Sequence, residues 1–362
     1  MADRAQVMAF RVAAQGLAKR GKVRPGDLDV LDLGVQEYMP GSLQVALAAR
    51  TAAGFDDDRL IMVWAARGAP HLHRRRDLPA LVRQLWPLTD ADAAARIKSG
   101  QMPDAGRLGI EAFRVTAAAF REVLTHSMAR GEVSTQVSKR VPAELTYECR
   151  SCRARHIGGN IWQVAGLAGG VEVESRGREA TLGPIPDAPP IPSSNQGMAD
   201  LIATYLSFLG PATPSEVAKY LGTATAEIKR VWPDDLAEVA VDGTRAWLPA
   251  AAVKKFESPP PARGIRLLPG MDPLLQARDR DVLVPGRDRQ KEVWRVLGNP
   301  GVVLADGEIA GVWRAKLIAG KRVDLTVTPF GPLARPQRAE IEEESAHVAR
   351  ARGVPSATVT FE

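Results

Sequence analysis

At 362 residues, with 45% hydrophobic and 25% charged side chains, the chain has the make-up of a globular protein large enough for two to four domains. Its 48 basic against 42 acidic side chains leave a formal net charge of +6, which favours a polyanionic partner. No run approaches the roughly 20 apolar residues of a membrane helix, no charged head and apolar run marks a signal peptide, and two cysteines are too few for a secreted disulfide framework; a cytoplasmic, nucleoid-associated protein without a membrane partner is expected.

Residues 1–20 read as a helix with Val7, Phe10, Arg11, Ala14 and Leu17 on one face. The mostly apolar stretch from Val30 to Gln36 runs to a break at Met39-Pro40-Gly41-Ser42, and Ser42 is placed to cap a helix over 43–53. Leu60 to Trp64 is of strand type. The spacing then predicts a helix over 77–86, with Pro79 tolerated in its first turn. Apolar spacing is helical again over 113–128, residues 131–138 suit a turn or a short helix, and 142–162 read as a helix interrupted by Gly158-Gly159. Residues 183–196 are proline-rich, with Pro184, Pro186, Pro189, Pro190 and Pro192, and form the clearest linker. A second break lies at Ser258-Pro259-Pro260-Pro261.

The stretch between these breaks is the most legible. Met198 to Leu209 is an amphipathic helix. Thr213 caps a second helix with Pro214 at its first position and Glu216 in its first turn, and Gly222 ends it. A third helix stops near Trp232, before Pro233. Two alternating strands then flank Asp242-Gly243, a strong hairpin signal. Helix, helix, helix, hairpin is the order of a winged helix, whose third helix enters the DNA major groove. Here that helix carries Lys229 and Arg230, and the wing carries Arg245. The same fold also serves as a protein-contact module. Residues 262–340 are rich in apolar and alternating runs, with a second Asp-Gly turn at Asp306-Gly307, and suggest a partial barrel; Glu340 to Arg350 is a charged terminal helix.

Two further basic zones stand out. Arg67, His71, His73, Arg74, Arg75 and Arg76 form a dense cluster entering a helix, and Lys139 and Arg140 precede Arg150, Arg153 and Arg155. Phosphate neutralisation is the work such side chains do, although a charge run is also what a solvated face looks like. Cys149-Arg150-Ser151-Cys152 with His156 has zinc-ligand chemistry, but no fourth ligand stands nearby, so neither a metal nor a cofactor is expected.

Several segments together resemble a bacterial family of tandem winged-helix DNA-binding proteins that includes the alkylpurine and interstrand-crosslink DNA glycosylases. They are Arg11-Val12-Ala13-Ala14-Gln15-Gly16-Leu17, Gly34-Val35-Gln36, Trp64-Ala65-Ala66-Arg67-Gly68-Ala69-Pro70-His71, Gly210-Pro211-Ala212-Thr213-Pro214, Ala246-Trp247-Leu248-Pro249, Leu267-Leu268-Pro269-Gly270-Met271-Asp272-Pro273, and Asp306-Gly307 with Gly311-Val312-Trp313-Arg314. The resemblance implies an α+β chain: tandem winged-helix (helix-turn-helix) domains over 1–107, 108–182 and 183–257, then a C-terminal β-rich domain over 258–362 with a terminal helix. It also implies a catalytic triplet after Gly-Val, of the form Gln-apolar-Gln or Gln-apolar-Asp. This chain has Gln36-Glu37-Tyr38, which keeps only the first position.

The expectation is a monomeric protein that binds double-stranded DNA and acts in recognition or repair of alkylated or crosslinked DNA. One alternative is an active monofunctional glycosylase that excises alkylated purines or unhooks crosslinks. Another is a non-catalytic scaffold or regulator that keeps the fold. The candidate catalytic residues are Gln36, Glu37 and Tyr38; the candidate DNA contacts are Arg67, His71, Arg74, Arg75, Arg76, Lys139, Arg140, Lys229, Arg230 and Arg245.

Overall fold

The computed structural model describes residues 2–151, 153–176 and 179–362. Contacts divide the chain into a first unit of Met1–Asp58, Ala203–Glu216 and Asp234–Glu362, and a second of Arg59–Ile202 with Val217–Pro233. Both mix helices and strands, so the α+β character is plain.

In the first unit, the helix Arg4–Ala14 starts at Asp3, whose carboxylate accepts from the Gln6 amide at 2.8 Å and so satisfies one of the amides a helix start leaves unpaired. Its apolar face carries Val7 and Phe10 into a small core with Leu248 and Phe256. Phe10 meets Phe256 edge-on, with 5.6 Å between ring centroids. The C-terminal part is a five-stranded sheet in the order Ile265–Leu268, Gly301–Ala305, Glu308–Ile318, Arg322–Pro329, Ser356–Phe361. The first four strands are antiparallel. The last is parallel to Arg322–Pro329, because the helix Arg335–Ala351 carries the chain back before it pairs. The strands follow one another in a single row, with the long helix laid on the sheet through Ile341 and Val348. Asp306 and Gly307 both have positive φ (48° and 86°), as do Asp242 and Gly243 (47° and 80°). Two-residue hairpin turns need that geometry, and Asp-Gly supplies it at low cost.

In the second unit, Leu60–Trp64 pairs antiparallel with Pro70–Arg74, and Val171–Arg176 with Glu179–Pro184. The helices Ile110–Val123, Arg130–Ser138 and Gly159–Val164 enclose a core in which Trp64, Phe120 and Trp162 touch, with 4.6 Å between the rings of Phe120 and Trp162. Gly166 and Gly169 are required by this packing. A Cβ would lie 2.3 Å from Trp64 at the first and 2.7 Å from Phe120 at the second.

One sequence expectation about the second unit is corrected. Residues 142–157 form no α-helix: after the single 3-10 turn Ala143–Leu145, Thr146–Cys149 and Ala154–Ile157 make an antiparallel hairpin, and the α-helix is confined to Gly159–Val164. The basic cluster does lead into a helix: Pro70–Arg74 is a strand, and the turn Arg75–Asp77 passes directly into the helix Leu78–Leu85. The helices Met198–Leu209, Pro214–Leu221 and Thr225–Arg230 and the hairpin Leu236–Val241 with Thr244–Pro249 lie where the sequence pattern put them. Among the described residues no helix is long and apolar enough to cross a membrane.

Candidate active site and DNA-contact residues

Val35–Gln36 is a two-residue strand, followed by Glu37 and Tyr38 in irregular backbone. Successive side chains on a strand point to opposite faces, but the strand ends at Gln36, so that alternation does not govern Glu37. The Gln36 side chain is buried, at 9% exposure, and its Oε1 accepts from Gln276 Nε2 at 3.0 Å. The same nitrogen donates to the Met271 carbonyl at 3.0 Å. Both Gln276 hydrogens are therefore assigned, which makes Gln36 Oε1 the acceptor. Glu37 is half-buried, and one of its oxygens accepts from the Gly41 amide at 3.3 Å. Tyr38 OH accepts from the Asn299 amide at 3.1 Å, which keeps its own proton available to donate. Ser42 does not cap through its side chain as expected. Gly41 is the N-cap of Ser42–Ala48, and the Ser42 hydroxyl accepts from the amides of Tyr38 and Met39 at 2.9 and 3.2 Å. It thereby fixes the turn that follows the triplet.

The partners of the triplet rest on a buried ionic frame. Arg50 and Asp272 are fully buried and joined bidentately at 2.8 and 2.9 Å. The remaining Arg50 hydrogens reach Gln15 O, Gln15 Oε1 and Ala46 O, so all five are used. Asp272 also accepts from the Leu274 amide, starting the short helix Pro273–Gln276 that ends on Gln276. Removing one member of such a pair leaves an uncompensated buried charge and costs about 3–5 kcal/mol. Met271 adopts φ 64°, a backbone that non-glycine residues rarely take, and its carbonyl is the one that Gln276 grips. At Gly270 a Cβ would lie 2.6 Å from the Asn299 carbonyl, so glycine lets the Asn299 segment approach. Sequence reasoning missed Gln276, Asn299, Arg50 and the role of Asp272. The Asp272-Pro273 pair was a readable helix start, but nothing local pointed to partners more than 200 positions away.

A cavity of about 660 Å³ in the first unit is lined by Phe10, Asp29, Asp32, Phe208 and Lys255 among others, and none of the triplet contributes to it.

The candidate DNA contacts divide by burial. His71 is buried at 2% exposure, with Nδ1 donating to the Ala69 carbonyl at 2.8 Å. Burial, then His73 and Arg67, push its pKa down to about 3, so it is neutral and holds structure. Arg74 is also buried and pairs with Asp77 at 3.2 Å. The expectation that His71 and Arg74 face DNA is corrected: the strand Pro70–Arg74 carries them inside. Arg67 is half-buried, donates to the Tyr220 carbonyl, and lies 5.1 Å over the Tyr220 ring. It clamps the end of Pro214–Leu221. Arg75, Arg76, Lys139, Arg140, Lys229 and Arg230 are exposed in the second unit, and Arg245 in the first. Several hold carboxylates: Arg75 with Glu172 at 3.1 Å, Arg140 with Glu122 at 3.0 Å, and Arg245 with Glu238 at 2.5 Å. Exposed pairs of this kind are worth about 0–1 kcal/mol and exchange readily for a phosphate.

Cys152 lies outside the described residues. Cys149 Sγ is 3.1 Å from Ser151 Oγ, and His156 donates to the Ile157 carbonyl at 3.0 Å, a bond that raises its pKa. Among the described residues no three His, Cys, Asp or Glu side chains are grouped to hold a metal.

Comparison with known proteins gives three findings. A family model described as DNA glycosylase AlkZ-like matches residues 35–351. The interstrand DNA cross-link repair glycosylase of Streptomyces sahachiroi is 27% identical over 373 residues, covering 96% of each chain. The solved structure of the Streptomyces sahachiroi DNA glycosylase AlkZ matches with a TM-score of 0.77 and 24% identity over 100% of both chains, a likeness of fold.

Proposed function

The chain belongs to the AlkZ-like DNA glycosylase family, whose model spans residues 35–351, and on that premise we propose that it is a monofunctional glycosylase that excises alkylated purines from double-stranded DNA and unhooks interstrand crosslinks by the same bond cleavage. The observation that carries the reading is the buried Gln36 amide, fixed by Gln276 at 3.0 Å and followed at once by the half-buried Glu37 carboxylate. The chemistry asks for such groups. N7 alkylation makes the purine cationic, so it departs with the electron pair of the glycosidic bond and little acid help. The sugar gains oxocarbenium character and must be met by water. A fixed amide and a carboxylate stabilise that charge, and the carboxylate takes the proton as water adds to the anomeric carbon. We assign water orientation to Gln36, water activation to Glu37, and support of the neighbouring Asn299 segment to Tyr38.

The DNA-binding part of the reading draws on the helix, helix, helix, hairpin order over 198–249. We read 183–257 as a winged helix, extend that arrangement to 1–107 and 108–182, and keep 258–362 as the β-rich domain. Arg75, Arg76, Lys139, Arg140, Lys229, Arg230 and Arg245 are then the phosphate contacts.

The test is duplex DNA carrying 7-methylguanine, incubated with protein and treated with alkali to cut at abasic sites. We expect scission at the lesion, reduced about 100-fold in Gln36→Ala, the scale of losing one fixed polar group. Product unaffected by Gln36→Ala would sink the assignment. Salt-dependent binding of the duplex without product would support a second reading, DNA recognition without excision. That reading is favoured by Glu37 and Tyr38, which stand where the family triplet has an apolar residue and an amide or carboxylate.

A further inference from the structure

We propose that Val296 and Leu297 form an apolar wedge that enters the base stack of duplex DNA beside the lesion; the proposal rests on the glycosylase reading of the Gln36 site. Val296 is 100% exposed and Leu297 86%. The other large exposed apolar side chains described, Val23, Met39 and Leu317, reach only 42–54%. Water is a poor place for two adjacent branched apolar side chains, and such a pair marks a surface kept for contact.

The segment that carries them is held at both stems. On one side, Arg287–Val293 ends with the Trp294 amide bonded to Gln290 O at 2.8 Å, and the Arg280 guanidinium lies 4.7 Å over the Trp294 ring. On the other, the Asn299 amide donates to Tyr38 OH at 3.1 Å, Arg314 donates to the Gly298 carbonyl at 3.3 Å, and Gly270 admits the Asn299 and Pro300 carbonyls at close range. Only the tip, with Val296 and Leu297, projects. The bond to Tyr38 ties this tip to the third residue of the candidate triplet.

Charge identifies the occupant. Arg295 is exposed next to the apolar pair, and the preceding helix carries Arg287, Arg289 and Lys291 against Asp288 and Glu292, with Lys291 held by Asp288 at 2.8 Å, so that the flank keeps a net positive charge. An apolar tip flanked by cations fits a base step between two phosphate strands. A water-holding group such as Gln36 reaches an anomeric carbon in a duplex only if the stack there is distorted, and an inserted wedge keeps it so. The wedge does not require that the base be turned out of the helix.

The experiment uses the full chain and duplexes with 2-aminopurine beside a non-cleavable abasic analogue, so that unstacking is read by fluorescence without any excision. Wild type is expected to raise the fluorescence severalfold, and the double variant Val296→Ser/Leu297→Ser to abolish the rise. Its excision of 7-methylguanine should fall about tenfold or more, since unstacking must then occur unaided. Affinity for undamaged duplex and the thermal melt should be unchanged, because both side chains are exposed. Equal fluorescence rises for the two proteins would overturn the proposal. So would binding by wild type without a rise, or an equal loss of affinity for undamaged duplex, which would mean general docking. Loss of the rise in the variant when neither protein excises would keep the wedge and remove the glycosylase reading. Unaltered excision and unstacking in the variant would do the reverse.

Discussion

Gln276 directs both hydrogens of one nitrogen, to Gln36 Oε1 and to the Met271 carbonyl. That fixes the orientation of Gln36 and makes Gln276 a positioning residue for it. Gln276→Leu should lower the single-turnover rate about tenfold, comparable to a neutral hydrogen bond lost from a buried site, with KM unchanged. A merely structural effect would multiply with Gln36→Ala. A positioning effect cannot, so the double variant should be no slower than Gln36→Ala alone. Rate losses that multiply would rule the role out. At this scale the sequence was readable only in part. Gln36 stood in a resembling segment, whereas Gln276 lies 240 positions further on with no mark of its own. The basic run from Arg67 to Arg76 looked uniform as a string, yet strand pairing sends His71 and Arg74 inward and leaves Arg75 and Arg76 in solvent. Charge counts do not carry that distinction, because it arises only when the strand finds its partner.

The helix Pro214–Leu221 shows what local chemistry does specify. The Thr213 amide and hydroxyl reach Glu216 Oε2 at 2.7 and 2.9 Å, and the Glu216 amide returns to Thr213 Oγ1 at 3.4 Å. This reciprocal cap satisfies orphan amides at the start of the helix. Thr213→Ala should destabilise the protein by about 1 kcal/mol. The urea midpoint would fall with the slope unchanged, and an unaltered midpoint would show the cap to be idle. The Asp-Gly hairpins were legible for the same reason, since two residues contain the whole signal. The hairpin Thr146–Cys149 with Ala154–Ile157 was not. Its strands have four residues each, are mostly polar, and show no clean alternation to separate them from a helix. Ser356–Phe361 escaped for a different reason: it pairs parallel with a strand beyond a 17-residue helix, a long-range event that no local motif announces.

Over the whole molecule, the buried ionisable groups set how it responds to acid. The His71 pKa is pushed down to about 3 by burial, then by His73 and Arg67, and that of His347 to about 4 by burial and nearby arginines. In the unfolded chain both return to the usual value near 6.5. Between the two values the unfolded state binds more protons than the folded one, so stability rises with pH. The contribution is complete above pH 6.5 and is lost as pH falls toward 3. His347 is only partly buried, so its share is smaller; His71 is buried and dominates. Urea unfolding at pH 7 and pH 4.5 should show a lower stability at the acid end. His71→Gln keeps a donor for the Ala69 carbonyl but cannot be protonated there, and should flatten the slope by up to about 1.4 kcal/mol per pH unit. Because the chain forms two units, two transitions are allowed. His71 belongs to the second unit and His347 to the first. If the transitions separate, the variant should flatten only the one assigned to residues 59–202 and 217–233, for instance by the fluorescence of Trp64 and Trp162. Equal slopes for wild type and variant would show that the His71 imidazole is protonated in the folded protein, and would restore it as a candidate contact for phosphate.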